Sequence, residues 1–369
     1  MISFGPTEEQ EIVREALREF AQKELRPLAR ECDETGIIPD AVLDAAWSLG
    51  LTSTQIPESY GGAGEARSPI TNVLALEELA FGDAALALAI VSPSSFAIPI
   101  LDMGTEEQKK TYLPLFTGER FHAASLALVE PSPVFDALEL RATAEPKGDG
   151  FLLSGRKCFV LLGDRASHFL VVVRASGRES FAGIEAFIVP RDAKGLEISG
   201  IEKNLGLRGL PTVSLSLDHV EVPAASRLGG EAGIDARRLL ACSRTGLAAA
   251  MLGLSRAVME YAIPYAKDRI AFGEAIARRQ TIAFWLADMR IEIDSMRWLT
   301  WQAASSLERG NDATRTAHLA RAYAADACMK ISDDGLQVLG GHGFIREHPV
   351  ELWYRAARTL GVLEGAVAV

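Results

Sequence analysis

The chain has 369 residues, 48% of them hydrophobic, and a formal net charge of −11. Such a length supports two or three structural units around a substantial core. The negative charge opposes general attraction to nucleic acid or to an anionic membrane, so any anionic ligand has to meet local arginines. The four cysteines, Cys32, Cys158, Cys242 and Cys328, are far apart, with no CxxC pair and no histidine at ligand spacing. A metal site and a disulfide framework are therefore not expected. No uninterrupted apolar run of about eighteen residues occurs, and charge from Glu8 onward replaces a secretory stretch, so the expected location is cytoplasmic.

In chain order, Thr7-Glu8-Glu9-Gln10 has the form of a capping box, and Ile12, Val13, Ala16, Leu17, Phe20 and Leu25 follow helical spacing until Pro27 disturbs it. Thr105 to Gln108 repeats the cap. Residues 1–120 thus read as an all-α domain, broken by the loop Pro57 to Gly62. From Phe121 the texture changes to short β-branched runs separated by turns such as Lys147-Gly148-Asp149-Gly150, which predicts a β domain over 121–235. Helical periodicity then returns over 236–369, with Gly340 and Gly341 suited to a helix C-terminus.

No P-loop, GxSxG, HExxH or GxGxxG after a strand is present. The informative feature is an ordered set of weaker motifs. TEEQ at 7–10, IPESYGG at 56–62, GTEEQKKTYLP at 104–114 and NLGLRG to VEVP at 204–223 are followed by Arg269 to Gly273, Gln280, Gln337 to Phe344, and Leu363-Glu364-Gly365. In that order they resemble the acyl-CoA dehydrogenase family over nearly the whole chain.

The resemblance implies an α+β fold: an N-terminal helical domain, a central β-barrel-like or sandwich domain and a C-terminal four-helix bundle. It implies an FAD flavoprotein of fatty acid metabolism, a homotetramer or other homo-oligomer, that desaturates an acyl-CoA and passes electrons to an electron-transfer flavoprotein. By position, Glu364 matches the base that removes the α-proton while the β-hydride leaves to flavin N5. Arg244 and Gly365 match substrate-facing positions. Arg269, Phe272, Gln280, Gln337, Gly340 and Gly341 match positions that hold the FAD diphosphate and adenosine, largely across a subunit boundary, and an arginine fork suits a diphosphate.

Elsewhere the pattern departs. A segment that commonly reads TEPGAGSD is here Val129 to Asp136, with Val129 in place of the threonine at the flavin edge and Phe135 in place of a small serine that serves substrate or flavin. The second ring motif, commonly WIT, is Phe159-Val160-Leu161, and Ala366 completes the positions that match flavin contacts. Ala356 stands where an aspartate usually follows the arginine that Arg355 matches. These changes leave two alternatives: a non-catalytic or half-site subunit in a heteromer with a paralogue, or a related flavin oxidase or monooxygenase.

Overall fold

The computed structural model describes residues 5–175 and 180–369. Its first third is helical: α1 (Glu8–Phe20), α2 (Arg26–Thr35), α3 (Asp40–Trp47), α4 (Pro69–Gly82), α5 (Ala84–Val91), α6 (Ser94–Met103) and α7 (Glu106–Tyr112). Both capping boxes form, with the Gln10 amide donating to Thr7 Oγ1 at 3.2 Å and the Gln108 amide to Thr105 Oγ1 at 3.2 Å. Pro27 does not end the first helical stretch. A π-helical turn, Ala21–Leu25, intervenes, and Pro27 then falls in the first turn of α2, where its missing N–H costs nothing.

The central sheet holds β1 (Ser125–Ala127), β2 (Thr143–Lys147), β3 (Gly150–Leu161), β4 (His168–Ala175), β5 (Ile184–Pro190), β6 (Leu196–Ile201) and β7 (Thr212–Pro223). Its order is β1-β4-β2-β3-β7-β6, with β5 also paired to β4. The sheet is mixed: β4 runs parallel to β1 and β2, while β2·β3, β3·β7, β6·β7 and β4·β5 are antiparallel. Val171, Val173, Phe187, Val189, Val213 and Leu215 form its buried core.

The last third contains α8 (Ala236–Asp268), the short hairpin β8 (Ile270–Ala271) and β9 (Glu274–Ala275), α9 (Gln280–Glu308), α10 (Thr314–Leu339) and α11 (Val350–Leu360). Helix α8 is apolar nearly all round and is the central beam, packed on α4, α9 and α10. The α8 helix and the stretch Ala84–Met103 are long and apolar enough to cross a membrane, but 83% and 89% of their most apolar windows are buried within the fold. Both are core helices here. The sheet unit meets the bundle through the NLGLRG loop, where the Gly206 amide donates to Thr359 Oγ1 at 3.0 Å and a Cβ on Gly206 would stand 2.1 Å from the Arg355 carbonyl oxygen.

One buried charge in the helical core yields a stability prediction. Asp83 caps α5 by accepting from the Leu86 amide at 2.9 Å, and burial pushes its carboxyl up to about 6 from 3.8. Between those values the folded protein holds more proton than the unfolded chain, so this group's contribution falls as pH rises from 3.8 to 6, and the full deficit persists above. Asp83→Asn keeps a capping oxygen and removes the titration. The variant is expected to be more stable at pH 7 by roughly 2–3 kcal/mol. Thermal midpoints measured from pH 4 to pH 7 should diverge in its favour as pH rises; parallel curves would refute the assignment.

Candidate active site

Glu364 follows the end of α11. The helix stops at Leu360, and the turn Gly361–Leu363 leads to Glu364 and then to Gly365 with φ +68°. Gly365 is required there twice over, because a Cβ would also stand 2.8 Å from Leu128 Cβ and 3.2 Å from Leu126 Cδ2. The carboxylate is thereby set between the bundle and the start of the sheet.

Arg244, nine residues into α8, donates through Nε to Glu364 Oε1 at 3.2 Å and Oε2 at 3.3 Å. Each side chain is only 16% exposed. A carboxylate has about four lone-pair sites, so this single donor orients the group and leaves room for it to accept a proton. The Glu364 amide donates to no group among the described residues.

The sheet packs against this segment through Leu126 and Leu128. Val129 follows β1, and its carbonyl accepts from the Cys158 amide at 2.9 Å, which places it beside Phe159 and Leu161 at the end of β3. Phe159 has φ +53° and donates its amide to Glu202 Oε2 at 3.2 Å. The Leu161 carbonyl is taken by Ser125 Oγ. Val129, Leu161 and Ala366 are buried, while Phe135 is half-buried against the cluster that includes Leu126 and Leu128. After Gly365 the backbone runs between α4, α6 and α8, with Ser94 Oγ donating to the Ala368 carbonyl at 3.0 Å and Val367 packed on Gly246.

A second group lies at the far end of the bundle. Arg269 caps the C-terminus of α8, Phe272 in the β8–β9 turn is 95% exposed, and Gln280 opens α9. Tyr265 brings this end against the end of α10, where its hydroxyl contacts His342 Nδ1 at 3.1 Å beside Gly340 and Gly341. Gln337 is exposed one turn earlier. The Arg269 guanidinium has no ion pair or hydrogen bond among the described residues, and nothing lies within 4 Å of where a Cβ on Gly273, Gly340 or Gly341 would stand. An unspent guanidinium beside open backbone fits a diphosphate. The two groups do not meet: Arg244 and Arg269 are about 37 Å apart along α8, at roughly 1.5 Å of rise per residue.

Residues 7–119, 125–220 and 234–369 match the acyl-CoA dehydrogenase N-terminal, middle and C-terminal domains. The chain belongs to the acyl-CoA dehydrogenase family. It is 36% identical to an acyl-CoA dehydrogenase of Bacillus subtilis over 97% of this chain and 95% of that protein. It is 34% identical to the caffeyl-CoA reductase-Etf complex subunit CarC of Acetobacterium woodii over 98% of this chain and 96% of that one. The structure of butyryl-CoA dehydrogenase from Megasphaera elsdenii superposes with TM-score 0.89 at 31% identity, covering 100% of this chain and 96% of that one. The protein is accordingly an oxidoreductase.

Within this acyl-CoA dehydrogenase, two features escaped the sequence reading. Arg355 finds its carboxylate in Asp33 of α2, with Nη1 and Nη2 donating at 2.9 and 2.8 Å, so Arg355 is paired although Ala356 replaces the aspartate. The other is Arg321 on α10, whose Nη2 donates to the carbonyls of Leu360, Gly361 and Leu363 at 3.1, 3.0 and 2.8 Å. A signal existed for it. Arg321 sits four residues after Ala317 and three before Ala324, on the buried stripe of its helix.

Proposed function

We propose that this chain binds FAD and oxidises an acyl-CoA thioester between its α and β carbons, with Glu364 as the base. The observation that carries this reading is the Arg244–Glu364 pair, a half-buried carboxylate held by one guanidinium nitrogen beside the start of the sheet. Glu364 takes the α-proton at a carboxylate oxygen. Its own amide, unpaired among the described residues, would donate to the thioester oxygen as negative charge develops there. Arg244 fixes the carboxylate plane, and the buried apolar walls of Val129, Leu161 and Leu128 exclude water. When bound, FAD supplies the acceptor for the β-hydride. Its ring would lie against Val129, Phe159, Leu161 and Ala366.

The diphosphate half of that cofactor would lie against Arg269, Phe272, Gln280, Gln337, Gly340 and Gly341 of a second subunit. The 37 Å separation along α8 is longer than an extended dinucleotide, at roughly 1.5 Å per residue. An oligomer also covers the exposed Phe284, Ile291 and Trp298, which recur every seventh residue along α9. The complex named for the Acetobacterium relative supports an electron-transfer flavoprotein as the redox partner.

Two measurements test this. The purified protein should carry a bound oxidised flavin that absorbs visible light, and acyl-CoA added anaerobically should bleach it. Arg269→Ala should weaken FAD retention by about 1.5–3 kcal/mol, the range for hydrogen bonds to charged groups, read as flavin loss on dilution. Undiminished occupancy would remove Arg269 from the cofactor site. A half-site subunit of a heteromer is the second reading, favoured by the apolar Val129 and Leu161 at the ring positions; a colourless protein with no affinity for added FAD would establish it.

A further inference from the structure

Helix α11 ends without a glycine in the left-handed conformation, since Gly361 keeps φ −59° and ψ −23°. Its last carbonyls therefore need partners from elsewhere. Arg321 provides them: one nitrogen, Nη2, serves Leu360, Gly361 and Leu363 at 3.1, 3.0 and 2.8 Å. These are three of the four residues immediately before Glu364. Among the described residues Arg321 forms no ion pair, and its buried Nε has no hydrogen-bond partner. Burial disfavours its charge, Glu364 favours it, and Arg244 opposes it.

Glu364 is thus held from two sides. Arg244 of α8 touches the carboxylate, and Arg321 of α10 holds the backbone that carries it. Without Arg321 the segment 361–363 keeps three backbone bonds of its own, the Gly361 amide to the Ala357 carbonyl at 3.2 Å, the Val362 amide to the Thr359 carbonyl at 3.1 Å and the Leu363 amide to the Leu360 carbonyl at 3.3 Å. Those bonds fix the turn to α11 but not to the core helices.

We infer that Arg321 is a positioning residue for the reaction, setting the height of Glu364 above the substrate by clamping the Leu360, Gly361 and Leu363 carbonyls. The inference rests on Glu364 being the base. Arg321 donates to backbone carbonyls and forms no hydrogen bond or ion pair with the carboxylate among the described residues, so its removal should alter the alignment of the proton transfer more than substrate affinity. A displacement of about 1 Å at a reacting group can cost on the order of 100-fold in rate.

The test uses the full-length flavoprotein with butyryl-CoA and a ferrocenium acceptor, or whichever acyl-CoA of a chain-length and branching panel the wild type oxidises fastest. Arg321→Met should lower kcat by about 10- to 100-fold with KM within about threefold of wild type. Arg321→Lys, which keeps a donor able to reach part of the carbonyl set, should recover at least half of that loss on a logarithmic scale. Flavin content should stay unchanged in both. If Arg321→Met fails to fold, Arg321→Lys decides alone, a kcat loss at unchanged KM and thermal midpoint supporting the clamp and wild-type kcat overturning it. Glu364→Gln runs alongside to separate the two failures. An inactive Glu364→Gln with an unaffected Arg321→Met overturns the clamp and leaves the base standing. An active Glu364→Gln, or a wild type inert to the whole panel, overturns both. Equal losses in KM and kcat that lysine does not reduce would mark Arg321 as structural only.

Discussion

Glu364→Gln is expected to lower kcat for acyl-CoA oxidation by about 10²- to 10⁴-fold, the range by which a positioned base contributes to proton transfer. The amide has the shape of the carboxylate and still offers Arg244 Nε an acceptor oxygen, so the loop should keep its place. What it lacks is a lone pair basic enough to take the α-proton. Because the pair is only 16% exposed on each side, some stability should be lost with the charge, but the group is not fully desolvated and the change in thermal midpoint should be small. Flavin content should match wild type, since Glu364 forms no part of the Arg269 group. Rapid-mixing measurement of flavin bleaching by acyl-CoA isolates this step from electron transfer to an acceptor. Bleaching at near the wild-type rate would mean that the base lies elsewhere.

The parts of this arrangement that were legible in the sequence are those written in local chemistry or in ordered motifs. Thr7 and Gln10, and again Thr105 and Gln108, carry their cap within four residues, and both caps formed. The return of helical periodicity over 236–369 could be read, whereas the sheet order could not. Ser125 pairs with Phe169, and Leu152 with Glu221, and no residue near either strand specifies that partner. Glu364 and Arg244 are 120 positions apart, and nothing in the spacing of either joins them; the family resemblance did. Arg355 shows the limit of that approach. Its aspartate was sought at position 356 and stands instead at Asp33, 322 residues away, because a bidentate pair needs a carboxylate in space rather than in a given motif. Arg321 was missed for the opposite reason. Its place on the buried alanine stripe of α10 marks it as turned inward, yet no motif names the carbonyls at the end of α11 that it serves.

The largest stability effect should come from a methyl group far from the chemistry, Gly253→Ala. In an isolated helix the change is favourable by up to about 1 kcal/mol, since alanine orders more readily than glycine. Here α8 crosses α4 at Gly253, and the added Cβ would stand 2.2 Å from the Glu77 carbonyl oxygen, 2.9 Å from the Phe81 amide nitrogen and 2.9 Å from Ala80 Cβ. Two of those atoms are backbone, so no side-chain rotation relieves the clash and the helices must separate. Separation also stretches a buried charge cluster, in which Arg256 Nη1 donates to Glu77 Oε1 at 2.8 Å and Glu78 Oε1 at 2.9 Å, and Arg297 Nη2 to Glu77 Oε1 at 3.1 Å. Glu77 is fully buried, and a buried carboxylate that loses its donors carries its desolvation penalty uncompensated. Overpacking alone costs about 1–3 kcal/mol. With the strained cluster the net loss should be about 3 kcal/mol, a fall of roughly 6–12 °C by the scaling for domains of about 150–250 residues. Gly118→Ala is the control, because nothing lies within 4 Å of its Cβ position. Thermal unfolding of the two variants beside wild type decides the matter. A Gly253→Ala midpoint as high as that of Gly118→Ala would show that α4 and α8 can part without strain, and that the close crossing is not what holds the helix bearing Arg244 in register with Glu364.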